Sequence, residues 1–274
     1  MEFMKIGIMG LGFVGGSVCK YFESKKIRVY KYDKHKKIGS IDEINQADAV
    51  FICVPTPYHL KNGFDLSMVE TAVSSLILGK IVIIKSSVVP GMTEFLQKKY
   101  PAHKFLFNPE FLREVSAYQD FIHPDRQIIG FTAKSKTIAV KVLKVLPSSP
   151  YSKIMPATEA EMVKYMANSF LAMKVVFANQ FFELCKILNL DYDAVRLAVG
   201  EDKRIAHSHL DVGYGGYRGY GGSCFPKDVN AIIELADRKK IKMPLLKTAR
   251  KINMGLLKQS GLSEDYFLKN KHKI

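Results

Sequence analysis

The sequence predicts an α/β fold in which an N-terminal doubly wound parallel sheet is followed by an all-α domain with one long central helix. Three observations carry this. Short apolar runs alternate with amphipathic segments in the first half, a glycine-rich turn follows the first run, and residues 157 to 199 contain neither glycine nor proline.

Lys5 to Met9 reads as a buried strand, followed by Ile27 to Tyr32, Ala49 to Val54, Ile81 to Ile84, Lys104 to Phe107 and Gln127 to Phe131. Helical patterns lie between most of these runs, so the strands form βαβ units and pair in parallel. Lys134 to Leu146 closes the domain as a helix. Thr158 followed by Glu161 forms a capping box that opens the long helix, whose apolar stripe must be covered by another element or a second subunit. The division is therefore 1–156, a helical domain at 157–260, and a basic tail at 261–274.

With 274 residues, 47% hydrophobic and 24% charged, the chain has ordinary globular composition and room for two domains. Cys19, Cys53, Cys185 and Cys224 have no CxxC spacing, which argues against a zinc site or a disulfide framework and for a reducing compartment. Cys19 falls in a helical segment and Cys53 in an apolar strand, so both read as core. No run suits a membrane span and the N-terminus lacks a signal-peptide layout, so a cytoplasmic location is expected. The net charge of +15 sits in short lysine groups without a nucleic-acid-binding signature. An anionic small molecule accounts for part of it as well as a polynucleotide does.

Directly after the first strand, Gly10-Leu11-Gly12-Phe13-Val14-Gly15 forms a G-x-G-x-x-G turn, and Asp33 ends the second strand. Between a strand and a helix this is the dinucleotide fingerprint of a Rossmann-type domain. Gly10 and Gly12 let a pyrophosphate approach the helix N-terminus, with Phe13 and Val14 beside it, Gly15 packs helix on strand, and Asp33 binds ribose hydroxyls. The carboxylate favours NAD, while Lys34, Lys36 and Lys37 keep NADP open. Three further strand ends carry polar, turn-forming residues: Val54-Pro55-Thr56-Pro57, Lys85 to Thr93, and Asn108 to Glu114. They lie at the carboxyl edge, where open α/β sheets bind ligands, and Thr56 reads there as a cofactor contact or as a hydroxyl that caps the turn.

In Gly219-Tyr220-Gly221-Gly222-Ser223-Cys224-Phe225-Pro226-Lys227-Asp228, one cysteine stands between a glycine run and a Lys/Asp pair. Glycines allow close approach of a ligand, a neighbouring ammonium favours the thiolate, and Phe-Pro opens a helix. Lys164 and Asn168 are four apart and share one face of the long helix.

These motifs, in this order, resemble the UDP-glucose/GDP-mannose dehydrogenase family: GLGFVG with Asp33, VPTP, KSSVVPGMT, NPEFLRE, the Lys164/Asn168 helix, GEDKRI at 200–205, and GYGGSCFPKD. The resemblance implies NAD-dependent oxidation of a nucleotide-sugar C6 alcohol to the carboxylate, in polysaccharide biosynthesis. UDP-glucose to UDP-glucuronate is its leading case and GDP-mannose the next. Carried over by position, Cys224 is the nucleophile, Lys164 and Asn168 stabilise oxyanions, Asp228 positions water, and Glu110 assists hydrolysis. Ser87 stands where the family commonly has threonine and would bond water or cofactor. Glu114 and Lys227 approach the cofactor, and Phe111, Leu112, Tyr220 and Gly221 the sugar nucleotide. Arg204 reaches a neighbouring subunit's substrate in a homodimer built on the long helix. No metal, nucleic acid or membrane partner is implied.

Two departures stand out. Family members continue into a third domain that grips the nucleotide, whereas this sequence stops after a lysine-rich stretch, and the loop before Cys224 is expanded by the near-repeat of 213–217 and 219–222. That loop is either a local duplication that supplies contacts or a mobile insertion. A non-catalytic NAD-binding subunit and a β-hydroxyacid dehydrogenase-like enzyme are the alternative readings.

Overall fold

Short, β-branched runs flanked by amphipathic helices can bury both faces only as a central sheet covered on each side, and the chain folds that way. The computed structural model describes residues 4–269. It divides into two compact units over those residues, one built from Met1–Thr56 and Asp65–Lys164, the other from Pro57–Phe64 and Tyr165–Ile274.

The first unit begins with β1 (Ile6–Met9), α1 (Phe13–Ser24), β2 (Val29–Tyr32), α2 (Ile41–Ile44) and β3 (Ala49–Ile52). Next in the chain come the short strands β4 (Tyr58–His59) and β5 (Gly63–Phe64), which pair as an antiparallel hairpin and belong to the second unit. The first unit resumes with α3 (Ser67–Ser74), β6 (Ile81–Ile84), α4 (Met92–Lys99), β7 (Lys104–Phe107), a 3-10 turn at Glu114–Ser116, α5 (Ala117–Ile122), β8 (Arg126–Phe131), α6 (Lys136–Val145) and β9 (Tyr151–Pro156).

The seven-stranded sheet has the order β2-β1-β3-β6-β7-β8-β9. After β1 the chain places β2 on one side and β3 on the other, so the strand order reverses at β1 and the loops after β1 and β3 share the topological switch point. Pairing is parallel from β2 through β7, but β8 runs antiparallel to β7 and β9 parallel to β8. The sheet is thus mostly, not wholly, parallel. Leaving β7, the chain forms the 3-10 turn and α5 and re-enters at the same edge without a crossover. Two apolar layers flank the strands: one includes Ile52, Val82, Ile84 and Phe105, the other Ile8, Phe22, Phe51 and Ile83.

The long helix α7 spans Ala157–Ile187 and passes from the first unit into the second. It stops before residue 199 without glycine or proline: Asn189 adopts a left-handed φ of 54°, and Leu190 N–H returns to the Cys185 carbonyl at 2.8 Å. Asp191 then caps α8 (Tyr192–Gly200) through the N–H groups of Asp193 and Ala194. The capping box is absent, because the helix has already begun at Ala157 and Thr158 lies inside it. Glu161 turns elsewhere: Oε2 accepts from Gly91 N–H at 2.6 Å, and Oε1 from the Thr93 N–H and hydroxyl at 2.8 and 2.6 Å. It therefore caps α4 from another helix. Burial pushes its carboxyl up to about 7 against these hydrogen bonds.

The second unit is completed by α9 (Phe225–Arg238), α10 (Pro244–Gln259) and α11 (Glu264–Lys269). In α11, Glu264, Phe267 and Leu268 are buried. Residues 270–274 of the expected basic tail lie outside the described residues.

Candidate active site

In the first unit, the glycine turn opens α1 at the switch point. Gly10 has φ 89°, and a Cβ there would lie 2.7 Å from the Cys53 carbonyl oxygen, so the turn itself demands glycine. A Cβ on Gly15 would fall 1.9 Å from Gly10 O, which fixes how closely the helix packs on the turn. Gly12, the N-cap of α1, differs: a Cβ there meets nothing within 4 Å, and no side chain caps the helix. The protein alone gives no steric reason for Gly12; an approaching anion at a helix N-terminus does.

Asp33 holds this turn directly. Its Oδ2 accepts from Leu11 N–H at 2.7 Å and Oδ1 from Lys36 N–H at 2.9 Å, while Lys36 Nζ donates to the Leu11 carbonyl at 2.6 Å. Burial pushes the Asp33 carboxyl up, but the N–H groups of Lys36, Leu11 and His35 and the Lys36 charge outweigh it and hold the group below the usual range. Phe13 and Val14 form the first turn of α1. An open pocket of about 470 Å³ runs from Gly12, Phe13 and Gly16 to Glu114 and Tyr118. The exposed Gly12 cradle, the uncapped helix end and the Asp33 carboxylate at the end of β2 fit a dinucleotide.

The other strand ends of this unit form a buried polar network. Thr56 is buried and Ser87 half-buried, while the adjacent Ser86 hydroxyl bonds the Val54 carbonyl at 2.7 Å. Lys85, 3% exposed, donates to Asn108 Oδ1 at 2.7 Å. Burial pushes its ammonium down to about 8, with Lys164 repulsion adding and Cys53 and Glu110 opposing. Lys164 donates to Glu110 Oε1 at 2.6 Å and to the Glu110 carbonyl at 2.8 Å, both side chains being buried. Glu110 Oε2 accepts from Leu112 N–H at 2.9 Å. The half-buried Phe111 ring has the Arg126 guanidinium 3.9 Å from its centroid and Lys164 Nζ at 5.9 Å.

In the second unit, Cys224 is the N-cap of α9, with Pro226 in the first turn and Asp228 N–H donating to the Cys224 carbonyl at 2.9 Å. The Ser223 hydroxyl lies 3.6 Å from Cys224 Sγ. Asp228 is fully buried; Oδ2 accepts from Asn168 Nδ2 at 2.6 Å, and Oδ1 from Lys227 Nζ. Tyr220 is buried, its phenol pushed up by burial and its hydroxyl without a hydrogen-bond partner among the described residues. Gly221 is half-buried, and Arg204 is exposed and paired with Asp202 of the same chain at 2.6 Å.

The expected site residues thus fall into two sets. Gly10, Gly12, Phe13, Val14, Gly15, Asp33, Thr56, Ser87, Glu110, Phe111, Leu112, Glu114 and Lys164 lie in the first unit. Asn168, Arg204, Tyr220, Gly221, Cys224, Lys227 and Asp228 lie in the second. Sequence reasoning missed Lys85 as a buried cation and Glu161 as a cap. The signal for the first was a lysine set directly after an apolar strand.

Cys19 and Cys53 have thiols pushed up by burial to about 11 and about 12, which keeps them neutral. No helix among the described residues is long and apolar enough to cross a membrane.

Residues 39–146 match the NAD binding domain, and residues 158–255 the central domain, of the UDP-glucose/GDP-mannose dehydrogenase family. The chain is 36% identical over 221 residues to a UDP-glucose 6-dehydrogenase of Rickettsia conorii, covering 77% of this chain and 50% of that protein. It is 36% identical over 222 residues to the UDP-glucose 6-dehydrogenase YwqF of Bacillus subtilis, covering 76% and 49%. It spans about half the length of these curated relatives. Among solved structures, a UDP-glucose dehydrogenase from the hyperthermophilic archaeon Pyrobaculum islandicum superposes with a TM-score of 0.80 at 30% identity, covering 94% of this chain and 71% of that one.

Proposed function

The chain belongs to the UDP-glucose/GDP-mannose dehydrogenase family, and from that premise we propose that it oxidises the C6 alcohol of a nucleotide sugar, UDP-glucose first, to the carboxylate with two NAD per turnover. The observation that carries this is the second unit's cluster: a half-buried cysteine at a helix N-cap, with a fully buried Asp228 in the first turn bonded to Asn168 and Lys227. A purely structural helix start has no use for a fully buried carboxylate with two donors in the first turn after a cysteine N-cap.

The Gly10–Gly15 turn, Asp33, Thr56 and Glu114 would hold NAD, which would supply the hydride acceptor, one molecule for each of the two oxidations. The chain's own residues do the rest. After the first oxidation, the Cys224 thiolate adds to the C6 aldehyde, forming a C–S bond and leaving an oxyanion. The helix N-terminus favours that thiolate. The Lys164 ammonium and the Asn168 amide, which carries two N–H groups, stabilise the oxyanion. Loss of the second hydride leaves a thioester on Cys224. Water, its proton taken by Glu110 and its position set by Asp228 and the Ser87 hydroxyl, attacks the thioester carbon; the C–S bond breaks and the thiolate is restored. Phe111, Leu112, Tyr220 and Gly221 are assigned to the sugar nucleotide and Lys227 to the cofactor side. The reducing cytoplasm keeps such a thiol available.

The assembly is proposed as a homodimer on α7. Met166, Phe170, Phe177, Phe181 and Leu184 are exposed at helical spacing, an apolar stripe larger than solvent normally faces. In that assembly Arg204 of one subunit reaches the other's substrate.

Incubating the purified chain with NAD and, separately, UDP-glucose, GDP-mannose and free sugar phosphates tests the reading through NADH formation. NADH with a nucleotide sugar supports it. NAD binding without turnover of any nucleotide sugar points instead to a non-catalytic subunit, and single-hydride oxidation insensitive to Cys224→Ala to a hydroxyacid enzyme.

A further inference from the structure

The expanded loop before Cys224 is tied down. Arg218 donates from Nε to Asn179 Oδ1 at 2.5 Å and from Nη1 to Glu183 Oε1 at 2.6 Å, and its backbone N–H donates to the Ser260 hydroxyl at 3.1 Å. Asn253 closes both backbone groups of Tyr220, accepting its N–H at 2.6 Å and donating to its carbonyl at 3.0 Å. The last tie comes from α11. The Phe267 ring is 2% exposed and lies 5.1 Å from the Tyr217 ring, so close to Gly221 that a Cβ there would sit 2.5 Å from Phe267 Cζ. The Arg250 guanidinium, donating to both Glu264 carboxylate oxygens, anchors the start of the same helix. Gly221 therefore lacks a side chain because the Phe267 ring and the Tyr217 hydroxyl, each 2.5 Å from that position, occupy the space together.

We infer that Phe267 is a positioning residue: pressed on Gly221 and Tyr217, it latches the loop that ends at Cys224 and so sets the exposure and placement of the thiol from a helix with no part in the chemistry. Gly221 is three residues from Cys224, and a short glycine-rich link transmits a displacement only if its far end is held, as Asn253 holds Tyr220. The catalytic consequence rests on the proposed oxidation; the effect on the thiol does not.

The test is the rate of iodoacetamide alkylation at each cysteine, read by peptide mass spectrometry in wild type, Phe267→Ala, Phe267→Leu and Gly221→Ala. Alkylation of Cys224 rises at least about fivefold in Phe267→Ala and Gly221→Ala and less in Phe267→Leu. Cys19, Cys53 and Cys185 in the same digests stay at wild-type rates. A Cys224 rate within about twofold of wild type in folded Phe267→Ala, or a rise shared by all four cysteines, overturns the inference. If Phe267→Ala does not fold, the other two variants decide by the same criterion. In turnover, kcat falls while KM for NAD holds. A wild-type chain that turns over no nucleotide sugar defeats the proposed oxidation and leaves the alkylation comparison decisive.

Discussion

Asn168 donates its side-chain amide to the fully buried carboxylate of Asp228 at 2.6 Å, across 60 residues of sequence, while Lys227 bonds the other oxygen. This couples the long helix to the first turn of the cysteine-bearing helix. Replacing the carboxylate by an amide removes the negative charge that balances the buried Lys227 ammonium and leaves one acceptor oxygen where there were two. Asp228→Asn is expected to lower kcat by about 10²- to 10³-fold, as steady-state NADH kinetics would read.

Lys164 and Glu110 form a buried ion pair whose value lies in mutual compensation. Lys164→Met strands the carboxylate and is expected to cost about 3 to 5 kcal/mol of stability in urea unfolding. The double variant Lys164→Met/Glu110→Gln, lacking either charge, recovers more than half of that loss. A double-mutant cycle showing simple additivity would contradict the coupling.

Glu161 gives a pH signature. Its folded pKa, about 7, lies above the ordinary 4.5, so the folded state holds the proton more tightly. Its contribution is fully present below about pH 4.5 and is lost as pH rises through about 7. Unfolding of wild type and Glu161→Gln at about pH 5 and about pH 8 should show wild type losing on the order of 2 kcal/mol relative to the variant over that interval. No change in the difference would contradict it.

Much of the first unit was legible in the sequence. Strands such as Ile81–Ile84 and Lys104–Phe107 are short, apolar and bounded by turn residues, and the fingerprint fixed the order of β1, α1 and β2. The hairpin at Tyr58–His59 and Gly63–Phe64 escaped because two-residue strands carry no periodicity. β9 escaped because it is a largely exposed edge strand without an apolar face. The end of α7 was hidden because a left-handed asparagine, rather than glycine or proline, stops it. Of the site, the motifs and their carriers were visible, but the pairings Lys164–Glu110 and Asn168–Asp228 join residues 54 and 60 apart, which local pattern cannot reach.

The exposed stripe on α7 makes the dimer testable without activity. Phe170→Glu together with Phe177→Glu places two charges on that face, and sedimentation should change from dimer to monomer at micromolar concentration while circular dichroism stays unchanged. A wild-type monomer would remove the proposal.

The central claim is that one sulfur carries the sugar between two oxidations. Its most direct measurement is the ratio of NADH to sugar acid in single and multiple turnovers of wild type and Cys224→Ala with UDP-glucose. The account predicts two NADH per acid in wild type and no acid above background in the variant. Two NADH per acid from Cys224→Ala at a comparable rate would contradict it.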